Sequence, residues 1–164
     1  MIAALLATRT RKVIASILVS STMVAGVAQY EGFSPVAYHP VPQDSLTIGH
    51  GYTKREDGSP VRKTDIITLD ESKQRLKREL FNYKQEISKC IKVPVTENEA
   101  SAYISLSYNI GTSAFCGSSL VKKLNQYDYA GACQEILKWD KFKGKALRGL
   151  TMRRTDEYKT CIKE

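Results

Sequence analysis

The hydrophobic pattern at the start of the chain is that of an export segment. Three basic residues, Arg9, Arg11 and Lys12, precede eighteen uncharged residues at 13–30. Such a segment lies at the short end of what can span a bilayer as a helix, with its basic flank kept in the cytoplasm. We therefore expect residues 1–30 to form an N-terminal signal-anchor segment and residues 31–164 to form the folded domain.

The apolar character of this segment is weak, which leaves four interpretations. Half of the sixteen residues 13–28 are Ala, Ser, Thr or Gly, so a bilayer would hold them only marginally. The first three are a permanent membrane anchor, a tether that is later released from the membrane, and a signal peptide cleaved at the small-residue site Gly26-Val27-Ala28. The fourth is a buried core helix. Cleavage after Ala28 would remove most of the helix needed to hold Glu31, which argues against the signal peptide.

Further along the chain the apolar residues recur with the helical period. A capping box at Thr68–Glu71 opens a long amphipathic helix that ends before Pro94. A second capping box, Thr96–Glu99, opens a helix that ends at Gly111, a residue suited to a C-terminal stop. Shorter helical patterns follow at 118–126, 128–139 and 149–161. The polar, turn-rich stretch before the first capping box predicts a small amount of β structure at 46–61, so the fold class is α+β and mostly helical.

The four cysteines predict disulfide bonds. Their spacing matches no zinc pattern, and a chain with an export segment is expected to oxidise them. Three pairings are arithmetically open. We favour Cys116 with Cys133, which would join neighbouring short helices, and Cys90 with Cys161, which would pin the C-terminal helix. Four reduced, buried thiols are the alternative.

The net charge indicates a negatively charged partner but does not identify it. The chain has 25 Lys and Arg against 17 Asp and Glu, a net charge of +8. A basic surface of this kind attracts nucleic acid, anionic lipid or a carboxylate-bearing cell-wall polymer. The basic and acidic residues are mixed along the chain, which indicates a solvated basic surface more than a dedicated binding groove.

Candidate chemistry begins directly after the apolar segment. Glu31 lies at its end, where desolvation would favour the protonated carboxyl group that a general acid needs. Glycoside hydrolysis also needs a second carboxylate, and Asp44 is the only other acidic residue before Glu56. Thr47 adds a hydroxyl group that could hold a water molecule. Read separately, Glu31 is a polar residue at a membrane interface, Asp44 a turn former and Thr47 an ordinary strand residue.

A family resemblance runs through most of the chain from Tyr30 to Cys161. Its motifs are Glu31-Gly32, Ala37-Tyr38, Thr47-Ile48-Gly49-x-Gly51, Asn109-Ile110-Gly111 with Ala114-Phe115-Cys116, and Gly149-Leu150 before Arg153-Arg154. These resemble the phage lysozymes of glycoside hydrolase family 24, and the N-terminal segment further resembles that of signal-anchor-release endolysins. The resemblance implies a two-lobed lysozyme fold, with a small β-hairpin sheet and a helical C-terminal lobe joined by a long helix.

The same resemblance implies roles for individual residues. Glu31 matches the acid of the family and Thr47 its threonine, whereas the usual position of the aspartate is here Pro40. Asp44 is our candidate for that role, in a loop that must be built differently; the alternatives are that there is no second carboxylate or that His39 or His50 assists. We expect substrate contacts from Tyr38, His50, Tyr52 and Asn109, and neither a cofactor nor a metal site.

The implied function is cleavage of the β-1,4 bond between N-acetylmuramic acid and N-acetylglucosamine in bacterial peptidoglycan, which lyses the host. A monomeric enzyme would be exported to the periplasm, tethered at first to the inner membrane by its N-terminal segment, and nucleic acid would not be a partner. A membrane-tethered wall-binding protein without catalysis is the second hypothesis. A nucleic-acid binder would account for the charge but not for the export segment.

Overall fold

The chain forms two compact units. The computed structural model describes residues 10–163, so Glu164 and residues 1–9, with Arg9 of the basic flank, lie outside the described residues. The first unit, Val19–Phe81, is called the smaller unit here; the larger unit contains the described residues before Val19 and those from Asn82 onward. The boundary between them falls within one long helix, α2, Leu69–Ser88.

The smaller unit combines helix α1, Ser21–Glu31, with the first part of α2 and a two-stranded antiparallel sheet of β1, Ser34–Tyr38, and β2, Thr47–Gly49. Its core includes the buried side chains of Ile48, Tyr52 and Val61, against which Ala37, Leu46 and Ile67 pack. This small core fixes the loops on either side of β2.

The larger unit is helical, with one short hairpin. Its elements are α3, Glu97–Ile110; α4, Thr112–Cys116; α5, Ser119–Asn125; α6, Tyr129–Glu135; a 3₁₀ turn, Ile136–Lys138; strands β3, Lys141–Phe142, and β4, Lys145–Ala146; and α7, Arg148–Cys161. Helix α3 packs on α7 and α5 packs on α6. Tyr103, Phe115, Leu120 and Ile136 are fully buried in this unit.

The mostly helical α+β class is confirmed, and so are both capping boxes. The backbone N–H of Glu71 donates to Thr68 Oγ1 (3.2 Å) while the N–H of Thr68 donates to Glu71 Oε2 (2.8 Å). The same exchange joins Thr96 and Glu99, at 3.0 and 2.8 Å. The prediction of β structure at 46–61 was incomplete, because it missed β1: Pro35 interrupts the strand pattern there, yet strand β1 pairs with β2 through Ser34 and Tyr38.

The N-terminal segment is folded with the rest of the chain in this structure. Of its eight strongly apolar side chains, six are buried, namely those of Ile14, Ile17, Val19, Met23, Val24 and Val27, while Val13 and Leu18 are exposed. Helix α1 continues across residue 30, so no structural break marks the predicted boundary, which stays a prediction. Among residues 10–163, no helix has both the length and the apolar character needed to cross a bilayer.

Polar contacts also hold the start of the segment on the larger unit. The backbone of Lys12 exchanges two hydrogen bonds with Val95, both 2.8 Å. The buried ammonium group of Lys84 donates to the carbonyl oxygens of Ala15 and Ile17, each at 2.9 Å. Burial lowers the pKa of Lys84, and the two carbonyl groups replace the water that its charge has lost.

The disulfide pairing that we favoured is wrong. The bonds join Cys90 with Cys116 and Cys133 with Cys161. Helix α4 brings Cys116 back to the end of α2, and the packing of α6 against α7 places Cys133 beside Cys161. Proximity along the chain favoured the wrong partners because the pairing is decided by how these helices pack.

Candidate active site

Glu31 is the last residue of helix α1. Ser20 caps the start of the helix by accepting a hydrogen bond from the backbone N–H of Met23 (3.2 Å). The helix ends because Gly32 adopts a φ of 68°, a conformation that costs glycine little and other residues more. Val24, Val27 and Glu31 follow one another at helical spacing, so the carboxyl group continues a buried apolar stripe.

Strand β2 begins at Thr47. Its residues pair with β1, so that Thr47 lies opposite Tyr38 and Gly49 opposite Ser34. Thr47 is 5% exposed and its Oγ1 donates to the carbonyl oxygen of Ser45 (3.2 Å). The donated hydrogen leaves the lone pairs of Oγ1 free to accept another hydrogen bond.

His50 is held by a residue that the sequence analysis did not identify. Its Nδ1 lies 2.6 Å from Ser72 Oγ, and its backbone N–H donates to the same oxygen at 3.2 Å. Ser72 Oγ has one hydrogen and two lone pairs, so after accepting that N–H it can still pair with Nδ1 in either tautomer of the ring. Burial, followed by the charge of Lys73, lowers the pKa of His50, while the Glu31 charge and Ser72 oppose this shift. His50 is therefore neutral at neutral pH and lies within electrostatic range of Glu31.

Gly49 is required by this arrangement in two ways. Its φ of 63° is unfavourable for other residues, and a Cβ atom there would lie 2.6 Å from Ser72 Oγ and 2.9 Å from the ring of Tyr52. The glycine of the Thr-Ile-Gly motif thus leaves the space in which Ser72 reaches His50. Ser72 itself follows Leu69 and precedes Leu76 at helical spacing, and a serine on an apolar stripe was the one available signal of its role.

Asp44 lies in an exposed turn between β1 and β2. Its backbone N–H donates to the carbonyl oxygen of Val41 (3.0 Å), and the intervening Pro42 and Gln43, with a φ of 76° at Gln43, fit a type II turn. The Asp44 carbonyl oxygen accepts a hydrogen bond from His39 Nδ1 (2.7 Å). The turn therefore uses the backbone of Asp44, and its carboxylate makes no hydrogen bond or ion pair within residues 10–163.

The other predicted substrate contacts have different surroundings. Tyr38 is 43% exposed and its side chain is accessible. Tyr52 is 5% exposed, donates its hydroxyl hydrogen to the Ser72 carbonyl oxygen (2.9 Å) and lies beneath the Arg75 guanidinium group, 3.9 Å from the ring centroid. Burial raises the pKa of Tyr52 to about 12. Tyr52 thus packs in the core of the smaller unit, and its sugar contact stays a prediction.

Asn109 belongs to the larger unit, unlike the other predicted site residues. It is exposed near the end of α3, and its Oδ1 accepts a hydrogen bond from the Arg154 guanidinium group (2.9 Å). The smaller unit alone thus contains Glu31, Tyr38, Asp44, Thr47, His50 and Tyr52. Among the described residues, no group of His, Cys, Asp and Glu side chains is arranged to hold a metal ion.

The comparisons with known proteins agree on one family. The family model described as phage lysozyme matches residues 28–157. An endolysin of Bacillus phage PZA is 35% identical over 132 residues, which are 80% of this chain and 50% of that protein. The chain therefore spans about half the length of that relative. The SAR-endolysin of Enterobacteria phage P21 is 32% identical over 150 residues, 90% of this chain and 88% of that protein.

A solved structure agrees with the sequence comparisons. The crystal structure of a P22 lysozyme mutant superimposes with a TM-score of 0.80 and 33% sequence identity, and the match covers 89% of this chain and 99% of that chain. The confirmed fold is thus shared over most of both chains.

The link between Ser72 and His50 is testable by substitution. Ser72→Ala would leave the buried Nδ1 and backbone N–H of His50 without their partner, and we expect a loss of about 1–3 kcal/mol in the free energy of unfolding. Ser88→Ala, in the same helix, removes only a bond from Oγ to the Gln85 carbonyl oxygen and should cost clearly less. Chemical denaturation measures both; equal losses would show that the Ser72 contact is not special.

Proposed function

The chain belongs to the phage lysozyme family, and we propose that it is a muramidase that hydrolyses the β-1,4 bond between N-acetylmuramic acid and N-acetylglucosamine in peptidoglycan. The observation that carries this proposal is the placement of Glu31 at the end of a buried helix stripe, in one unit with Thr47 and the neutral His50. This arrangement offers a single proton donor with polar groups around it.

Glu31 is the general acid in this proposal. Its carboxyl group donates a proton to the glycosidic oxygen as the bond from that oxygen to C1 breaks, so that the leaving sugar departs as an alcohol. Positive charge then develops on the sugar ring, and a carboxylate or a water molecule must approach C1. Water supplies the hydroxyl group that ends on the muramic acid residue.

Asp44 is the proposed second carboxylate. Its exposed side chain lacks a partner within the described residues, and the turn that holds its backbone uses only main-chain atoms and His39. It would either activate the water molecule or attack C1 directly. Thr47, whose Oγ1 still has lone pairs free, would accept a hydrogen bond from that water.

His50 and Tyr38 are assigned to the substrate. Ser72 holds His50 through Nδ1, so Nε2 would exchange a hydrogen bond with a sugar hydroxyl group, and the exposed ring of Tyr38 offers an apolar face for a sugar. A substrate contact of Asn109 stays a prediction. Tyr52 supports the loop from within the core.

The N-terminal segment also suggests where in the cell the protein is held. We infer that the newly made chain is exported to the periplasm and held at the inner membrane by residues 13–30, as the name of the P21 SAR-endolysin suggests for that relative. The side chains that lipid would cover there include Met23, Val24 and Val27, which are buried in the folded chain. Release from the membrane would let helix α1 fold and bring Glu31 into the site.

The catalytic acid is tested by Glu31→Gln, which keeps the size of the side chain and removes the proton. We expect lysis of chloroform-treated Gram-negative cells to fall roughly a hundredfold to ten-thousandfold. Glu86→Gln, which removes an exposed carboxylate on α2, is the control and should keep full activity. A Glu31→Gln protein that releases muropeptides at the normal rate would contradict the proposal, as would a wild-type protein that binds the wall without cleaving it.

The role of Asp44 is tested separately. Asp44→Asn should lower turnover on purified sacculi on the order of a hundredfold, because the water molecule or C1 loses its carboxylate. Asp70→Asn removes an equally exposed carboxylate from the first turn of α2 and should leave turnover unchanged. If the two variants turn over alike, Asp44 has no part in the reaction.

The release step is tested by strengthening the membrane segment without disturbing the core. Ala15, Ser21, Thr22 and Ala25 are exposed in the folded chain, so leucine at these positions adds hydrophobicity mainly to the membrane-inserted form. We expect delayed lysis and a larger membrane-bound fraction in cells, while the control with alanine at Ser21 and Thr22 lyses on time. Normal timing for the leucine variant would refute release.

A further inference from the structure

An exposed hairpin projects from the larger unit, remote in sequence from the candidate site. Strands β3 and β4 pair Lys141 with Ala146 and Phe142 with Lys145. The two connecting residues both have positive φ, 49° at Lys143 and 78° at Gly144, as in a type I′ turn. A further hydrogen bond from Leu147 N–H to the Asp140 carbonyl oxygen (3.0 Å) closes its base. The hairpin is therefore a regular structure that holds its side chains in a defined register.

One face of this hairpin is apolar and exposed. Side chains alternate between the two faces of a strand, so Phe142 and Leu147 lie on the same face as diagonal neighbours. Lys145 is the cross-strand partner of Phe142 and lies on that face too. Phe142 is 60% exposed and Leu147 is 45% exposed. Lys143 extends over the aromatic ring, with Nζ 5.6 Å from its centroid. An aromatic and an aliphatic side chain are thus presented together to the solvent.

The surroundings of this face are strongly basic. Every residue from 141 to 149 is exposed, and the stretch contains Lys141, Lys143, Lys145 and Arg148 without an acid before Asp156. None of these four cations forms an ion pair within residues 10–163. The nearest carboxylate in sequence, Asp140, accepts a hydrogen bond from Thr151 Oγ1 (3.4 Å).

We propose that this surface, the hairpin face of Phe142, Lys145 and Leu147 with the adjoining cations Lys143 and Arg148, docks on an anionic phospholipid bilayer. Lys141, paired with Ala146, lies on the opposite face. The two apolar side chains enter the interface while the cations lie among the headgroups, which is how basic amphipathic elements bind such membranes. This contact is independent of residues 1–30 and of the proposed hydrolysis.

A bilayer fits this surface better than a glycan or a nucleic acid does. Leucine and phenylalanine gain free energy by leaving water for the acyl boundary, whereas a sugar needs hydrogen-bonding groups of both kinds, and every charged group on the surface is a donor. Nucleic acid would satisfy the cations and leave the apolar pair in water. Of the three partners, only an anionic bilayer engages both halves of the surface.

The charge contribution is tested with the full chain and vesicles. Each basic residue at an anionic membrane strengthens binding roughly fivefold, so Lys143→Gln, Lys145→Gln and Arg148→Gln together should weaken binding to phosphatidylglycerol-containing vesicles at least about tenfold. The control replaces Lys63, Lys92 and Lys159, which are also exposed lysines, and lowers the net charge equally. We expect the control to stay within about threefold of the wild type. Equal loss in both variants would overturn the proposal, because net charge alone would then explain binding.

The apolar contribution is tested by Phe142→Ser with Leu147→Ser, which leaves the charge unchanged. Vesicle binding should fall while the melting temperature and lytic activity stay at the wild-type values, since both side chains are exposed. The single tryptophan, Trp139, precedes the hairpin directly and reports docking through its fluorescence. Binding to phosphatidylcholine vesicles as strong as to anionic ones would contradict the proposal. A hairpin variant that loses binding to sacculi while keeping its binding to vesicles would assign the surface to the wall instead.

Discussion

The fold depends on the burial of one apolar helix face. Met23, Val24 and Val27 of helix α1 are inside the folded chain, and each buried side chain of this size contributes about 1.5–3 kcal/mol. Glu31 is covalently fixed one turn beyond Val27, so whatever covers this face also decides where the carboxyl group lies. A bilayer and the protein interior are both apolar, and the helix can be covered by only one of them at a time. If residues 13–30 enter a bilayer as proposed, the position of the acid and the location of this segment are a single equilibrium.

The loops beside this helix depend on a second, polar constraint. The small core of the smaller unit is supplemented by a network in which Ser72 holds the backbone and ring of His50 and the hydroxyl group of Tyr52. Because Gly49 leaves room for this contact, the Thr-Ile-Gly motif has a packing reason as well as a chemical one. His50 and Tyr52 take their positions from Ser72 of α2, which lies about twenty residues later in the chain.

The sequence was informative where structure is local and less so where distant residues meet. The capping boxes at Thr68 and Thr96 predicted two helix starts, since a capping box needs only two residues three positions apart. The disulfide pairing was wrong because helix packing chooses the partners. The burial of Tyr52 was not predicted for a similar reason: its contacts are with Ser72 and Arg75, which no local pattern links to it. Pro35 concealed a strand that pairing with β2 stabilises.

Hydrogen exchange on the purified, soluble full chain measures directly whether α1 is part of the folded chain. The account predicts that the backbone N–H groups of residues 25–31 exchange slowly, with protection of the same order as that of helix α3, because both helices bury an apolar face. Exchange at the rate of an unstructured chain in residues 25–31, with α3 still protected, would contradict it. In that case Glu31 would be attached to a disordered tail and the burial of α1 would position nothing.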